Sequence, residues 1–227
     1  MALILSLESS TTSCSVALHQ DGKILVSRES RDAYSAASLL TVMVQECMDE
    51  AGIKADNIEA LAVSSGPGSY TGLRIGVATA KGFCYSRNIP LIAINSLVLL
   101  ASQVRDRAQT DDVLCPMIDA RRMEVYTMLV NKELEELAPI TARVIDDLSY
   151  ADELSKHRIL FFGTGAAKCE EVIRHSNATF IHGIVPQASA MGVLAGQRFH
   201  SGLFEDFGDF EPLYLKDFLI RKPKSAV

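Results

Sequence analysis

The sequence has no run of about 18 consecutive apolar residues, the length that a membrane-crossing helix needs, so no transmembrane helix is expected. The opening MALILSLESS has no basic leader and no small-residue cleavage site behind an apolar region. Its short apolar run reads as a strand, and a cytoplasmic location is expected. Cysteine shows no framework: Cys14, Cys47, Cys84, Cys115 and Cys169 are far apart, odd in number and without C-x-x-C. That argues against disulfides or a zinc site and for packed thiols. His19, His157, His175, His182 and His200 form no H-x-x-x-H or H-E-x-x-H, so no metal site is expected. Positive charge is also short. A formal net charge of −6 argues against RNA binding by a broad basic footprint. The local run Lys216, Arg221, Lys222 and Lys224 reads as a solvated basic tail, with a local RNA-binding patch as the second reading.

What is present fits an α/β protein. The 227 residues, 48% of them apolar, suffice for one large domain or two small lobes sharing a core. Segments 3–8, 14–19 and 24–28 read as strands, with Asp21-Gly22 as a hairpin signal. In 35–51, Ala36, Leu39, Leu40, Met43, Val44, Cys47 and Ala51 follow helical spacing and Gly52 closes the helix. Strands are expected at 58–64 and 89–94, with helices at 72–87 and 96–107. The polar AQTDD at 108–112 marks the expected boundary, giving lobes of residues 1–108 and 109–227. Beyond it, 113–118, 125–130 and 158–162 read as strands. A helix follows the Gly163-Thr164-Gly165 turn, and 187–199 is the last clear helix. The second half thus parallels the first in element order, without sequence repetition. The last helix and tail are expected to pack back on the first lobe.

Residues 64–88, SSGPGSYTGLRIGVATAKGFCYSRN, are the richest stretch. A strand ends in a Gly/Pro loop that opens into a helix, with Ser69 or Thr71 as cap. Gly72, Gly76, Ala80 and Cys84 fall at four-residue steps on one ridge. Such a loop can present N–H groups to an anion, but no GK[ST] follows it and Lys81 lies two turns on. A rigid turn setting the helix against the sheet is the favoured reading. Leu73, Val77 and Phe83 are expected to face the sheet, leaving Gly72, Gly76 and Ala80 open to a partner, so that Gly76→Leu or Ala80→Leu would break association and spare the fold.

GPGSYTGLRIGVATAKG resembles the signature of the TsaB (YeaZ) family, accessory proteins of threonylcarbamoyladenosine formation on tRNA within a TsaD/glycoprotease-like superfamily. ILSLESSTTSCSVAL, IDARRMEVY at 118–126 and PLYLKDFLIRKPK at 212–224 agree with it, so the resemblance spans the chain. It implies two actin-like lobes of the ribonuclease H-like class, mixed sheets flanked by helices. It also implies a non-catalytic scaffold for modification of position 37 in ANN-decoding tRNAs, binding and stabilising TsaD and recruiting TsaE. The helices 35–51 and 72–87 would form the interface, through Leu39, Leu40, Met43, Cys47, Gly72, Leu73, Gly76, Val77 and Ala80. The same helices would make a homodimer when TsaD is absent, and tRNA would be met only within the complex.

The resemblance also implies a vestigial nucleotide site at Glu8, Ser9, Ser10, Thr11 and Thr12, with Gly163 and Gly165 near the adenosine. A hydroxyl-rich turn and a tight strand-to-helix turn are the plainer readings of those residues. Family members commonly carry Asp where this chain has Glu8. No cofactor is expected on the chain alone; ATP with magnesium belongs to the complex. The helix at 35–51 has no histidine, whereas TsaD holds its metal with a histidine pair on a helix, so catalysis is not expected. Asp119, Arg121, Arg122 and Glu124 are expected at a lobe junction, Asp119 pairing with one of the arginines, or simply in an ion-paired hairpin. The competing reading is an ATP-binding kinase-like enzyme or a glycoprotease-like peptidase of the same fold.

Overall fold

A computed structural model describes residues 2–30 and 36–216. Ser35, the expected start of the first long helix, and the basic Arg221, Lys222 and Lys224 lie outside the described residues.

The chain opens with β1 (Leu3–Glu8), β2 (Cys14–Gln20) and β3 (Lys23–Ser30) as an antiparallel meander. Asp21 and Gly22 both take positive φ, 51° and 78°, as the tight hairpin turn requires. Helix α1 (Ala36–Ala51) buries Leu40, Met43, Val44, Cys47 and Met48 and exposes Val42, Gln45, Glu46 and Asp49. This is the i, i+3, i+4 pattern of a helix lying on a sheet. Then come β4 (Ala60–Gly66), α2 (Tyr70–Arg87) and β5 (Leu91–Asn95). The first sheet has the order β3-β2-β1-β4-β5, with β1, β4 and β5 parallel. Asn95 caps the next helix, α3 (Ser96–Ser102), accepting from the amides of Leu97 and Val98 at 2.9 and 3.1 Å. The helix expected over 96–107 is thus shorter. Bonds from Gln103 and Val104 three residues back tighten its end, and a separate 3-10 turn follows at Arg105–Arg107.

The second half repeats the plan. β6 (Val113–Asp119), β7 (Glu124–Val130) and β8 (Glu136–Val144) form a meander. The short α4 (Ala151–Leu154), β9 (Ile159–Phe162), α5 (Ala166–Glu170) and β10 (Ala178–Ile181) complete a second sheet, ordered β10-β9-β6-β7-β8. A 3-10 turn at Ala188–Met191 leads into α6 (Gly192–His200).

Four apolar clusters hold these layers together. α1 and α2 cover one face of the first sheet through Leu40, Cys47, Val77 and Ala80 against Leu7, Val16 and Val63. Its other face, with Ile4, Ala62 and Ile92, is covered by Leu99 of α3 and by Met191 and Ala195 from the end of the chain. Leu97, Leu100 and Ala101 of α3 face the second sheet at Leu114 and Phe162, so α3 is wedged between the sheets. Tyr150 and α5 cover the far face of the second sheet.

Candidate functional site

The turn from β1 to β2 is jammed against the start of α2. The Ser10 carbonyl accepts from the Ser69 amide at 2.7 Å, and the Ser9 hydroxyl donates to the Gly72 carbonyl at 2.8 Å. Ser69 is the helix cap, accepting from the Gly72 amide. A Cβ at Gly68 would overlap the Ser10 carbonyl, one at Gly72 the Ser9 carbonyl, and one at Gly76 the Ser9 hydroxyl. The glycines therefore let the turn and helix touch. The rigid-turn reading of 64–72 accounts for these contacts.

The side chains of Glu8, Ser9, Ser10 and Thr11 are engaged within the chain. Glu8 is fully buried, and its Oε1 accepts from the Ser10 amide and hydroxyl, both at 2.6 Å. Burial pushes its carboxyl up to about 7 against the pull of those bonds. Its Oε2 has no partner among the described residues. Thr11 bonds to Ser13, and of Glu8–Thr12 only Thr12 is exposed. The Gly163–Gly165 turn is equally closed: a Cβ at Gly163 would overlap the Met117 carbonyl, and the Gly165 amide donates to that same carbonyl at 2.9 Å. As placed, Ser9, Ser10 and the Gly165 amide are engaged within the chain, while Thr12 stands exposed at the turn.

The expected partner face needs correction. Leu40, Met43, Cys47, Leu73, Gly76, Val77 and Ala80 are buried in the chain's own core. Leu39 is half-buried, and Gly72 lies under Ser9. The ridge Gly72–Gly76–Ala80–Cys84 faces inward because the Ser9–Ser10 turn occupies the space above it. The outward ridge of α2 is Arg74, Ala78, Gly82 and Tyr85, flanked by half-buried Ile75 and Thr79. Tyr85 is 79% exposed, and Val42 of α1 is 48% exposed. An added Cβ at Gly82 would meet nothing within 4 Å. Sequence spacing missed this ridge, which also carries small residues four apart, Ala78 and Gly82.

The junction residues also differ from expectation. Asp119 pairs with Lys168, not with an arginine, and accepts from the Arg121 backbone amide at 2.9 Å. Lys168 also donates to the carbonyls of Arg122 and Glu124 at 2.6 and 2.8 Å, tying the β6–β7 turn to α5. Arg121 and Arg122 are exposed. Glu124 pairs with Lys216, which arrives on a strap from α6. Along this strap Glu205 bridges to Leu91 on the edge of β5, and Lys81 donates to the carbonyls of Gly208 and Phe210 at 3.1 and 3.0 Å. The Leu213 amide then donates to the Ser65 carbonyl at 2.7 Å, and Tyr214 packs 4.8 Å from the Tyr70 ring. Under the strap a cavity of about 630 Å³ opens beside Ser65 and Asn95. Arg198 pairs with Glu205 across it at 3.7 Å, and Glu211 also lines it. Among the described residues, no three of His, Cys, Asp and Glu are grouped as metal ligands, and no helix is long and apolar enough to cross a membrane.

The family model for TsaD, tRNA N6-adenosine threonylcarbamoyltransferase, matches residues 33–218. The chain is 28% identical over 223 residues to the tRNA threonylcarbamoyladenosine biosynthesis protein TsaB of Haemophilus influenzae, across 94% of this chain and 93% of that one. Among solved structures, YeaZ from Pseudomonas aeruginosa superposes with a TM-score of 0.78 at 27% identity, covering 95% of this chain and 100% of that one. An activator of the 2-hydroxyisocaproyl-CoA dehydratase from Clostridium difficile reaches 0.50 at 10% identity, covering 89% of this chain and 96% of that one. That likeness shows the fold alone, the actin-like ATPase fold. The chain belongs to the TsaD family and, within it, to the TsaB (YeaZ) proteins of threonylcarbamoyladenosine biosynthesis in tRNA.

Proposed function

We propose that this chain is the non-catalytic scaffold of threonylcarbamoyladenosine synthesis at position 37 of ANN-decoding tRNAs. It binds and stabilises a TsaD homologue through the outer faces of α1 and α2 and recruits a TsaE homologue to the pair. The observation that carries this is the outward ridge of α2, where Ala78 and Gly82 leave the helix backbone approachable beside exposed Tyr85, together with Val42 exposed on α1. Small residues let a partner helix approach closely, and flanking aromatic and branched side chains supply contact area. The inward commitment of Glu8, Ser9 and Ser10 supports a chain that carries no nucleotide of its own, with ATP and magnesium entering in the complex. In the absence of TsaD the same face pairs two copies. The site of action is the cytoplasm, and tRNA is met within the assembly.

The test is co-elution with the TsaD homologue. Ala78→Arg and Gly82→Leu point into open space, so the fold is expected to survive while affinity falls by roughly thirtyfold or more. Circular dichroism checks the fold. Undiminished co-elution of both variants would overturn the assignment of this face.

A further inference from the structure

The β6–β7 turn carries chemistry that the scaffold reading leaves unused. Each acid flanking it is neutralised within the chain, Asp119 by Lys168 and Glu124 by Lys216. Arg121 and Arg122 between them are exposed, and neither guanidinium has a partner among the described residues. Both residues hold left-handed backbone, φ 70° and 52°, a conformation that costs a non-glycine residue about 1 kcal/mol or more. The turn is braced to keep them there. Asp119 holds the Arg121 amide, Lys168 holds the Arg122 carbonyl, and the Ala120 amide donates to the Glu124 carbonyl at 3.0 Å. Beside them Lys216 stands 5.8 Å from the centre of the Tyr126 ring.

We propose that this turn anchors the phosphodiester backbone of an RNA, Arg121 and Arg122 each holding a phosphate of the tRNA substrate; that the RNA is a tRNA rests on the functional reading above. Three physical arguments favour it. Guanidinium forks match phosphate oxygens. On a chain of net charge −6, RNA is expected to approach where cations exceed acids, and at this turn Arg121, Arg122, Lys168 and Lys216 accompany Asp119 and Glu124. Exposed ion pairs to a protein carboxylate contribute little, whereas each phosphate contact to a polyanion also releases counterions. A free nucleotide fits less well, since it needs converging backbone donors. Here the Arg121 amide is held by Asp119, and the Glu124 amide donates to the Arg121 carbonyl at 3.2 Å.

The experiment is titration of labelled tRNA against the chain with its TsaD homologue, and against the chain alone at low salt, over a range of salt concentrations. The double variant Arg121→Gln with Arg122→Gln leaves both lysine braces in place. It is expected to weaken tRNA binding roughly tenfold and to reduce the log–log salt slope by about 2, with TsaD co-elution unchanged. The double lysine variant is expected to restore most of the slope. Unchanged affinity and slope would overturn the proposal. Lost TsaD association at unchanged tRNA affinity would identify a protein contact instead, and loss of ATP binding alone would identify a nucleotide. Should the unmodified chain fail to join TsaD, the scaffold reading falls, and the titration of the chain alone still decides the anchor.

Discussion

Glu8 shows what a single buried group does here. Its carboxyl is held at about 7 from an ordinary 4.5, chiefly by burial. The folded chain therefore keeps a proton that the unfolded chain has lost between those values. Stability falls as pH rises through that window, and the loss is complete above pH 7, about 3 kcal/mol in all. His19 titrates with the opposite sign. Burial holds it below its ordinary value against its bond to the Ser189 carbonyl, so its contribution is lost as pH falls. Glu8→Gln separates the two. The variant is expected to be more stable than the parent at pH 8, and the difference is expected to vanish near pH 4, as read from urea unfolding. A difference independent of pH would mean that folding leaves the Glu8 carboxyl at its ordinary value. An aspartate at this position would stand shorter by one methylene, and the Ser10 bonds would have to reorganise around it.

At the scale of elements, helix α2 decides how the family signature is read. Both of its ridges carry small residues four apart, and only the position of the Ser9–Ser10 turn tells them apart. That turn is more than 60 residues away in sequence, so spacing along the helix could not choose. The strands β1, β2, β4, β6, β7 and β9 were legible because their apolar runs are buried. β5 was legible for the same reason and the exposed edge strand β3 from the Asp21-Gly22 hairpin signal, whereas β8 and β10 are half-exposed edge strands with weak alternation and no Asp-Gly signal beside them. The partner of Asp119 was missed because Lys168 comes from another element. The two ridges give opposite expectations for substitution. Gly76→Leu meets the Ser9 hydroxyl and Val63, and it is expected to cost more than the usual overpacking penalty of about 1–3 kcal/mol and to yield little folded protein. This replaces the expectation that such a change spares the fold. Gly82→Ala meets nothing and is expected to raise stability by about 1 kcal/mol through helix propensity, or roughly 2–4 °C in Tm. A fall in Tm for Gly82→Ala would mean that the outer ridge is not open.

For the whole molecule, the boundary at 108 separates the two sheets but not two independent units. The face of the first sheet carrying Ile4, Ala62 and Ile92 is covered by Met191 and Ala195. The Ala188 amide donates to the Ser15 hydroxyl at 2.8 Å, and the strap closes the β5 edge at Leu91. The second half therefore lends the first sheet its cover. A fragment of residues 1–108 keeps Leu99 on that face but would expose the part under Met191 and Ala195, and with apolar burial contributing roughly 25 cal/mol per Å² it would forfeit much of its marginal stability. Such a fragment is expected to give a poorly dispersed amide spectrum and no cooperative melt. Adding residues 109–216 in trans is expected to restore both, because Met191 and Ala195 then cover the first sheet and α3 regains Leu114 and Phe162 to pack against. A well-dispersed spectrum from 1–108 alone would show that the first lobe folds by itself and that α6 and the strap are later additions to a finished core.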